Sequence, residues 1–187
     1  RSYPKEPYKV KKYYVTGHAI QQMNGRKIYD EIRKEEFDCA LFLDETSQYY
    51  LTDYYSTDGA VIVSATETAL LTDSRYIEAA NNDKLAGLLS DDVNAYLFKS
   101  GLYSDIAEYF KSVGAKKVCL DPALISVKQL ENLKKNCEGV EFGYLSDVCL
   151  KYRRVKTDFD KFVKVTFKET DIRFVSLVPL GTGKCCV

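Results

Sequence analysis

Leu70-Leu71-Thr72-Asp73-Ser74-Arg75-Tyr76-Ile77-Glu78-Ala79 reads as the end of a strand, a tight polar corner and the first turns of a helix. Leu70 and Leu71 close an apolar run. Thr72, Asp73 and Ser74 each carry an oxygen that satisfies orphan N–H groups at a helix start. Tyr76, Ile77, Ala79 and Ala80 then supply an apolar helix face. Arg75 sits at the corner, where a guanidinium fork reaches a carboxylate or several carbonyls. On local grounds the commoner reading of this corner is structural: Asp73 caps the helix and Arg75 pins a neighbouring loop.

Working back from the corner, Thr68 to Thr72 is one strand and Ala60-Val61-Ile62-Val63-Ser64 is another. The short connection Ala65-Thr66-Glu67 makes them an antiparallel hairpin. Before it lies a polar loop with two tyrosines, Thr52 to Gly59. A one-to-two-turn helix from Asp44–Ser47 through Leu51 leads into that loop. Cys39 to Leu43 is a short continuous apolar run of the kind buried strands show. Asn24 is positioned to cap a helix running from Gly25 or Arg26 to Glu36, with Ile28 and Ile32 as its stripe and Asp30–Lys34 as an i,i+4 pair. Residues 1–23 are basic and aromatic without periodicity, an arm attached to the domain.

Working forward, Asn81-Asn82-Asp83 ends the apolar pattern, and 84–92 is ambiguous. Val93 to Phe98 is a fourth strand. Leu102, Ile106, Tyr109, Phe110 and Val113 fall at helical spacing, and Gly114 suits the stop. Lys117 to Leu120 is a fifth strand. Ser126 with Gln129 fits a capping box, followed by the stripe Val127, Leu130 and Leu133. Val140 to Leu145 is a sixth strand, and Ser146 or Asp147 opens a last helix carrying Val148, Leu150 and Tyr152 into Lys151-Tyr152-Arg153-Arg154. Strands alternating with helices predict an α/β fold: a three-layer mixed, mostly parallel sheet of about six strands with helices on both faces. From 158 to 187 the chain turns β-prone, which suggests an added hairpin or an unordered tail. The division is therefore arm 1–23, domain 24–157 and tail 158–187.

Composition narrows the function. The 187 residues suit one domain, and 45% apolar content supports a core. Lys plus Arg match Asp plus Glu at 27 each. That balance argues against nucleic acid as an obligatory partner, as does the lack of regular interleaving between the tyrosines and basic residues. The basic run 151–154 reads as a solvated helix end favoured by the helix dipole. No apolar run of about eighteen residues exists, so no membrane span is expected. The six cysteines form no C-x-x-C pair, which fits reduced thiols in a cytoplasmic protein. Cys39 and Cys119 lie in strand-like runs, where cysteine behaves as a small hydrophobe. The single histidine, His18, stands in the polar leader, away from any patterned site.

The order Tyr50-Leu51-Thr52, Thr57-Asp58-Gly59-Ala60 and Leu70-Leu71-Thr72-Asp73-Ser74-Arg75-Tyr76 resembles the N-terminal domain of the creatinase, prolidase and Xaa-Pro aminopeptidase family. Val118-Cys119-Leu120-Asp121 resembles that family's valine-to-aspartate strand, with Cys119 and Leu120 as departures. Leu150 to Thr157 resembles the linker into its second domain. The resemblance covers about residues 25–158. It implies that hydrolysis belongs to a separate C-terminal domain holding two divalent metals, usually manganese, in a carboxylate and imidazole cage. About thirty residues follow the linker here, fewer than such a domain needs. The expectation is a chain with no catalytic residue, no metal ligand and no cofactor of its own, inactive by itself.

The resemblance further implies a role in dimerisation and in gating access for short peptides. Its partners would be a second copy or a catalytic domain, and short peptides only in the intact enzyme. Carried over by position, Tyr54, Tyr55, Asp58, Asp73, Arg75 and Tyr76 are the candidate gating or contact residues. Tyr54 and Tyr55 would offer apolar faces to a proline ring, and Arg75 would pair with a carboxylate. Two alternatives remain: a fragment of an active proline-specific aminopeptidase, or a stand-alone protein-binding module of the pseudo-peptidase kind, as in the large histone-chaperone subunit. The balanced charge counts against histone binding.

Overall fold

Three strands with no charged side chain, each completely buried, lie side by side at the centre of the protein: β1 (Cys39–Phe42), β2 (Ala60–Val63) and β3 (Thr68–Thr72). Nothing polar on their side chains competes with pairing, and β-branched and apolar residues fill both faces. β2 pairs antiparallel with β3 in the register Ala60↔Leu71 to Val63↔Thr68, the hairpin that the sequence predicts. β1 pairs antiparallel with β2. In this computed structural model, residues 24–154, 163–165 and 175–177 are described.

The sheet extends outward on parallel pairs. β4 (Val93–Leu97) joins β3, β5 (Lys117–Leu120) joins β1, and β6 (Glu141–Tyr144) joins β5. The order is β4-β3-β2-β1-β5-β6, a mixed six-stranded sheet with three parallel and two antiparallel pairs.

Side chains alternate between two cores. On one face Ala40, Phe42, Val61, Val63, Leu70 and Val93 meet α1 (Asn24–Ile32), α2 (Glu45–Thr52), α3 (Ile77–Leu85) and α6 (Val148–Arg153). On the other, Leu41, Ile62, Leu71, Val118 and Leu120 meet α4 (Leu102–Val113) and α5 (Val127–Asn136). This is the three-layer α/β arrangement. Ile28 and Ile32, the predicted stripe of α1, are fully buried; each contributes about 1.5–3 kcal/mol.

Local signals explain most helix ends. Asp44 caps α2, its carboxylate accepting the Ser47 N–H at 2.8 Å. Ser126 and Gln129 form the capping box of α5, and Gly114 ends α4 at φ 68°. Differences from expectation have physical causes. α1 tightens into a 3-10 turn at Arg33–Glu35, so Lys34 pairs with Glu31 at i,i+3 rather than with Asp30. Asp30 lies near Arg26 instead, at 3.9 Å. Asn24 donates to the Tyr50 carbonyl and so ties α1 to α2. α3 runs past the predicted stop at Asn81 to Leu85, because its polar residues face water and only Ala80 is buried. Val127 is 74% exposed rather than part of the α5 stripe, which is anchored by Leu133.

Two carboxylates fasten distant elements. Asp121, buried after β5, accepts the N–H groups of Ala123 and Asp147. Glu31 accepts from Lys151, Lys34 and the Tyr152 hydroxyl, so the first two residues of the basic run 151–154 are held against α1. Lys151 first and Lys34 second hold the Glu31 carboxyl at about 2, against an ordinary 4.5. A folded value below the unfolded one adds stability above the unfolded value, and that contribution is lost as pH falls toward 2. Glu31→Gln is therefore expected to reduce the difference in urea midpoint between pH 7 and pH 3.

Cys39, Cys119, Cys137 and Cys149 are free and buried. Burial pushes the Cys39 and Cys119 thiols up to about 12. Beyond the domain, β7 (Val163–Val165) pairs antiparallel with β8 (Val175–Leu177). The arm 1–23 and the rest of the tail lie outside the described residues.

Candidate functional site

The loop 53–59 ends α2 and begins β2, while the corner 73–76 ends β3. Both lie at the end of the sheet where the parallel strands β1, β3 and β4 finish, the edge at which α/β sheets build their sites. Asp53 turns the chain out of α2 with φ 56°, a conformation aspartate tolerates. Gln48, buried in α2, donates its amide to the Gly59 carbonyl at 3.0 Å and fixes the loop's far end. Thr52 accepts the Tyr54 N–H and donates to the Gln48 carbonyl.

The corner is built around Asp73. One carboxylate oxygen accepts the Arg75 N–H at 2.8 Å and the other accepts Arg75 Nε at 2.8 Å. The Asp73 carbonyl accepts the Tyr76 and Ile77 N–H groups. Arg75 Nη2 then reaches across to Asp58 at 2.7 Å, which joins corner to loop. The guanidinium lies over the Tyr76 ring, 5.3 Å from its centre. The Tyr76 hydroxyl meets Thr57 Oγ1 at 3.1 Å, and the Tyr54 hydroxyl donates to the Tyr76 carbonyl at 2.9 Å. The Asp73 carboxylate, and after it Asp58, raises the Arg75 proton affinity further.

The structure brings Tyr54, Asp58, Asp73, Arg75 and Tyr76 into one network, with Tyr55 beside it bonded to Glu45. Their surroundings differ from one another. Tyr54 is buried and offers no face to a ligand. Tyr55 is 58% exposed and does. The Arg75 side chain is exposed, with Nε and Nη2 already held by two aspartates. The patch thus carries Glu45, Asp58 and Asp73 around one cation. An exposed clasp of this kind is screened by salt and acts on loop geometry more than on stability. Arg75→Ala is expected to leave the melting temperature nearly unchanged while speeding limited proteolysis between residues 53 and 58; equal cleavage rates in both proteins would show that the clasp does not hold the loop.

Sequence reasoning missed Thr57, Gln48 and Glu45 at this site, since each acts through contacts 10 to 19 residues away. It also missed Glu67, whose carboxylate gathers Asn94, Tyr96 and Tyr109 on the α4 side of the sheet. Only the turn position of Glu67 in the hairpin hinted at a role. Among the described residues, no group of three His, Cys, Asp or Glu is placed to hold a metal ion. No helix among them is long and apolar enough to cross a membrane.

The family model for the creatinase/prolidase N-terminal domain matches residues 26–155. No curated protein matches the sequence. Among solved structures, an Xaa-Pro dipeptidase from Bacillus anthracis is 20% identical with TM-score 0.66, over 74% of this chain and 37% of that one. The aminopeptidase P (Xaa-Pro aminopeptidase) of Streptococcus thermophilus is 19% identical with TM-score 0.62, over 72% of this chain and 98% of that one. The N-terminal domain of the cytoplasmic peptidase PepQ from Mycobacterium tuberculosis H37Rv is 20% identical with TM-score 0.59, over 68% and 96%. At these identities the likeness is one of fold. The chain spans just over a third of the B. anthracis chain and nearly all of the other two.

Proposed function

The chain belongs to the creatinase/prolidase N-terminal domain family, and from that membership we propose that it is the non-catalytic cap of an Xaa-Pro peptidase-like protein, acting in self-association and in gating access to a catalytic domain. The observation that carries this reading is the clasp Asp58–Arg75–Asp73, which holds a tyrosine-bearing loop at the sheet end where sites form. Tyr55 projects from that loop as a rigid apolar face suited to a proline ring. Arg75 positions the loop; with its fork occupied by Asp58 and Asp73, it is not the carboxylate receptor.

The two manganese ions that the family resemblance implies belong to the catalytic domain. The described residues do not fit such a centre, and no step is assigned through it. Nor do they supply an activated nucleophile: the buried thiols are held protonated by desolvation. A cytoplasmic setting suits four free cysteines in the core. The purified chain is expected to release no proline from X-Pro dipeptides, with or without added manganese. Manganese-dependent turnover by this chain would overturn the reading and favour an active fragment.

A further inference from the structure

We propose that β4 is a self-pairing edge, and that two copies of this chain join their sheets antiparallel through Val93–Leu97. β4 ends the six-stranded sheet, with β3 on one side and no strand on the other. The parallel ladder sets which groups face outward. Thr68 N–H bonds the Asp92 carbonyl and Phe98 N–H bonds the Thr72 carbonyl, so the even-numbered residues of β4 use their main chain on β3. The N–H and C=O groups of Ala95 and Leu97 therefore point away, and no described residue bonds them. The strand Val-Asn-Ala-Tyr-Leu lacks the proline, lysine or bulge that usually blunts such an edge. β6, at the opposite edge, begins with a charged residue, Glu141.

The occupant is a second copy because the edge matches itself. A two-fold axis at Ala95 sets the small Ala95 side chains opposite each other, Val93 opposite Leu97, and Asn94 opposite Tyr96. Ala95 then exchanges a reciprocal pair of main-chain hydrogen bonds with its counterpart. Each Leu97 N–H reaches the Val93 carbonyl of the second copy. Continuing the register one step past the strand at each end, exposed Asp91 meets exposed Lys99, once on each side of the axis. No like charges stand opposite, and both ends are complementary. Leu97 and Tyr96, 39% and 41% exposed, cover one another's faces on opposite sides of the joined sheet.

This inference rests on the self-association part of the function proposed above and supplies its surface. Sedimentation equilibrium of the full chain across a range of concentrations tests it. The wild type is expected to dimerise. Ala95→Pro removes the central donor at a position where an edge strand tolerates proline, and Lys99→Glu opposes Asp91 with a like charge. Each is expected to weaken the dimer at least about tenfold, and Asp91→Lys with Lys99→Glu to restore it. A monomeric wild type overturns the proposal and leaves the gating role and the lack of turnover standing. A dimer unmoved by both single variants places self-association on another surface. A double variant no tighter than Lys99→Glu overturns the register. Circular dichroism of Ala95→Pro verifies its fold, and the charge pair tests the edge without it.

Discussion

Phe110→Ala should lower the stability of this domain by about 3–5 kcal/mol, the usual cost of truncating a fully buried phenylalanine. Phe110 has no exposed surface and sits in α4 with Ile106 and Ala107, against strand residues that include Ile62, Leu71 and Val118. That face of the sheet has only α4 and α5 above it, and α5 contributes one fully buried residue, Leu133. Few neighbours can move into the space a ring leaves. In a domain of this size each kcal/mol shifts the melting temperature by roughly 2–4 °C, so a fall on the order of ten degrees is expected. Val113→Ala, on the same helix but exposed, is the control and should change stability by about 0.5 kcal/mol or less. Urea unfolding of both variants measures the difference. Similar midpoints would mean that α4 is not docked as described.

The same comparison of buried and exposed positions explains what could be read from the sequence. Where an element buries one face and local chemistry sets its ends, pattern and structure coincide. The hairpin of β2 and β3, the Ser126–Gln129 capping box and the Gly114 stop are of this kind. α3 was misjudged in length because it buries only Ala80, which leaves hydrophobic periodicity almost nothing to register. The strand order could not be read either, since the position of β4 outside β3 depends on pairing across about 25 residues. At the candidate site, motif position located Asp58, Asp73 and Arg75. It did not reveal that the two aspartates occupy the guanidinium, because a fork between Asp58 and Arg75 spans 17 residues. The same holds for Gln48, whose bond to Gly59 looks from the sequence like one more polar residue on a helix.

Gly59→Ala should destabilise the domain by about 1–3 kcal/mol through crowding, and should also release the loop. A Cβ at this position would lie 2.7 Å from the Leu71 carbonyl oxygen, 3.1 Å from Ser56 Oγ and 3.4 Å from Gln48 Oε1. The nearest atom is backbone and belongs to β3, so it cannot swing aside. Relief requires β2 to part from β3 at the Ala60↔Leu71 pair, or Gly59 to withdraw its carbonyl from Gln48. Either movement shifts Asp58 relative to Arg75 and opens the clasp from its far side. Gly114→Ala separates this effect from a general glycine penalty. Gly114 has open space around it but a left-handed backbone at φ 68°, so alanine there costs about 1 kcal/mol by conformation alone. Both variants should melt earlier, and only Gly59→Ala should be cut faster between residues 53 and 58. Equal cleavage in the two would mean that the loop's placement does not depend on the close approach of Gly59 to β3, and the gating surface would then have to be held by the Arg75 clasp alone.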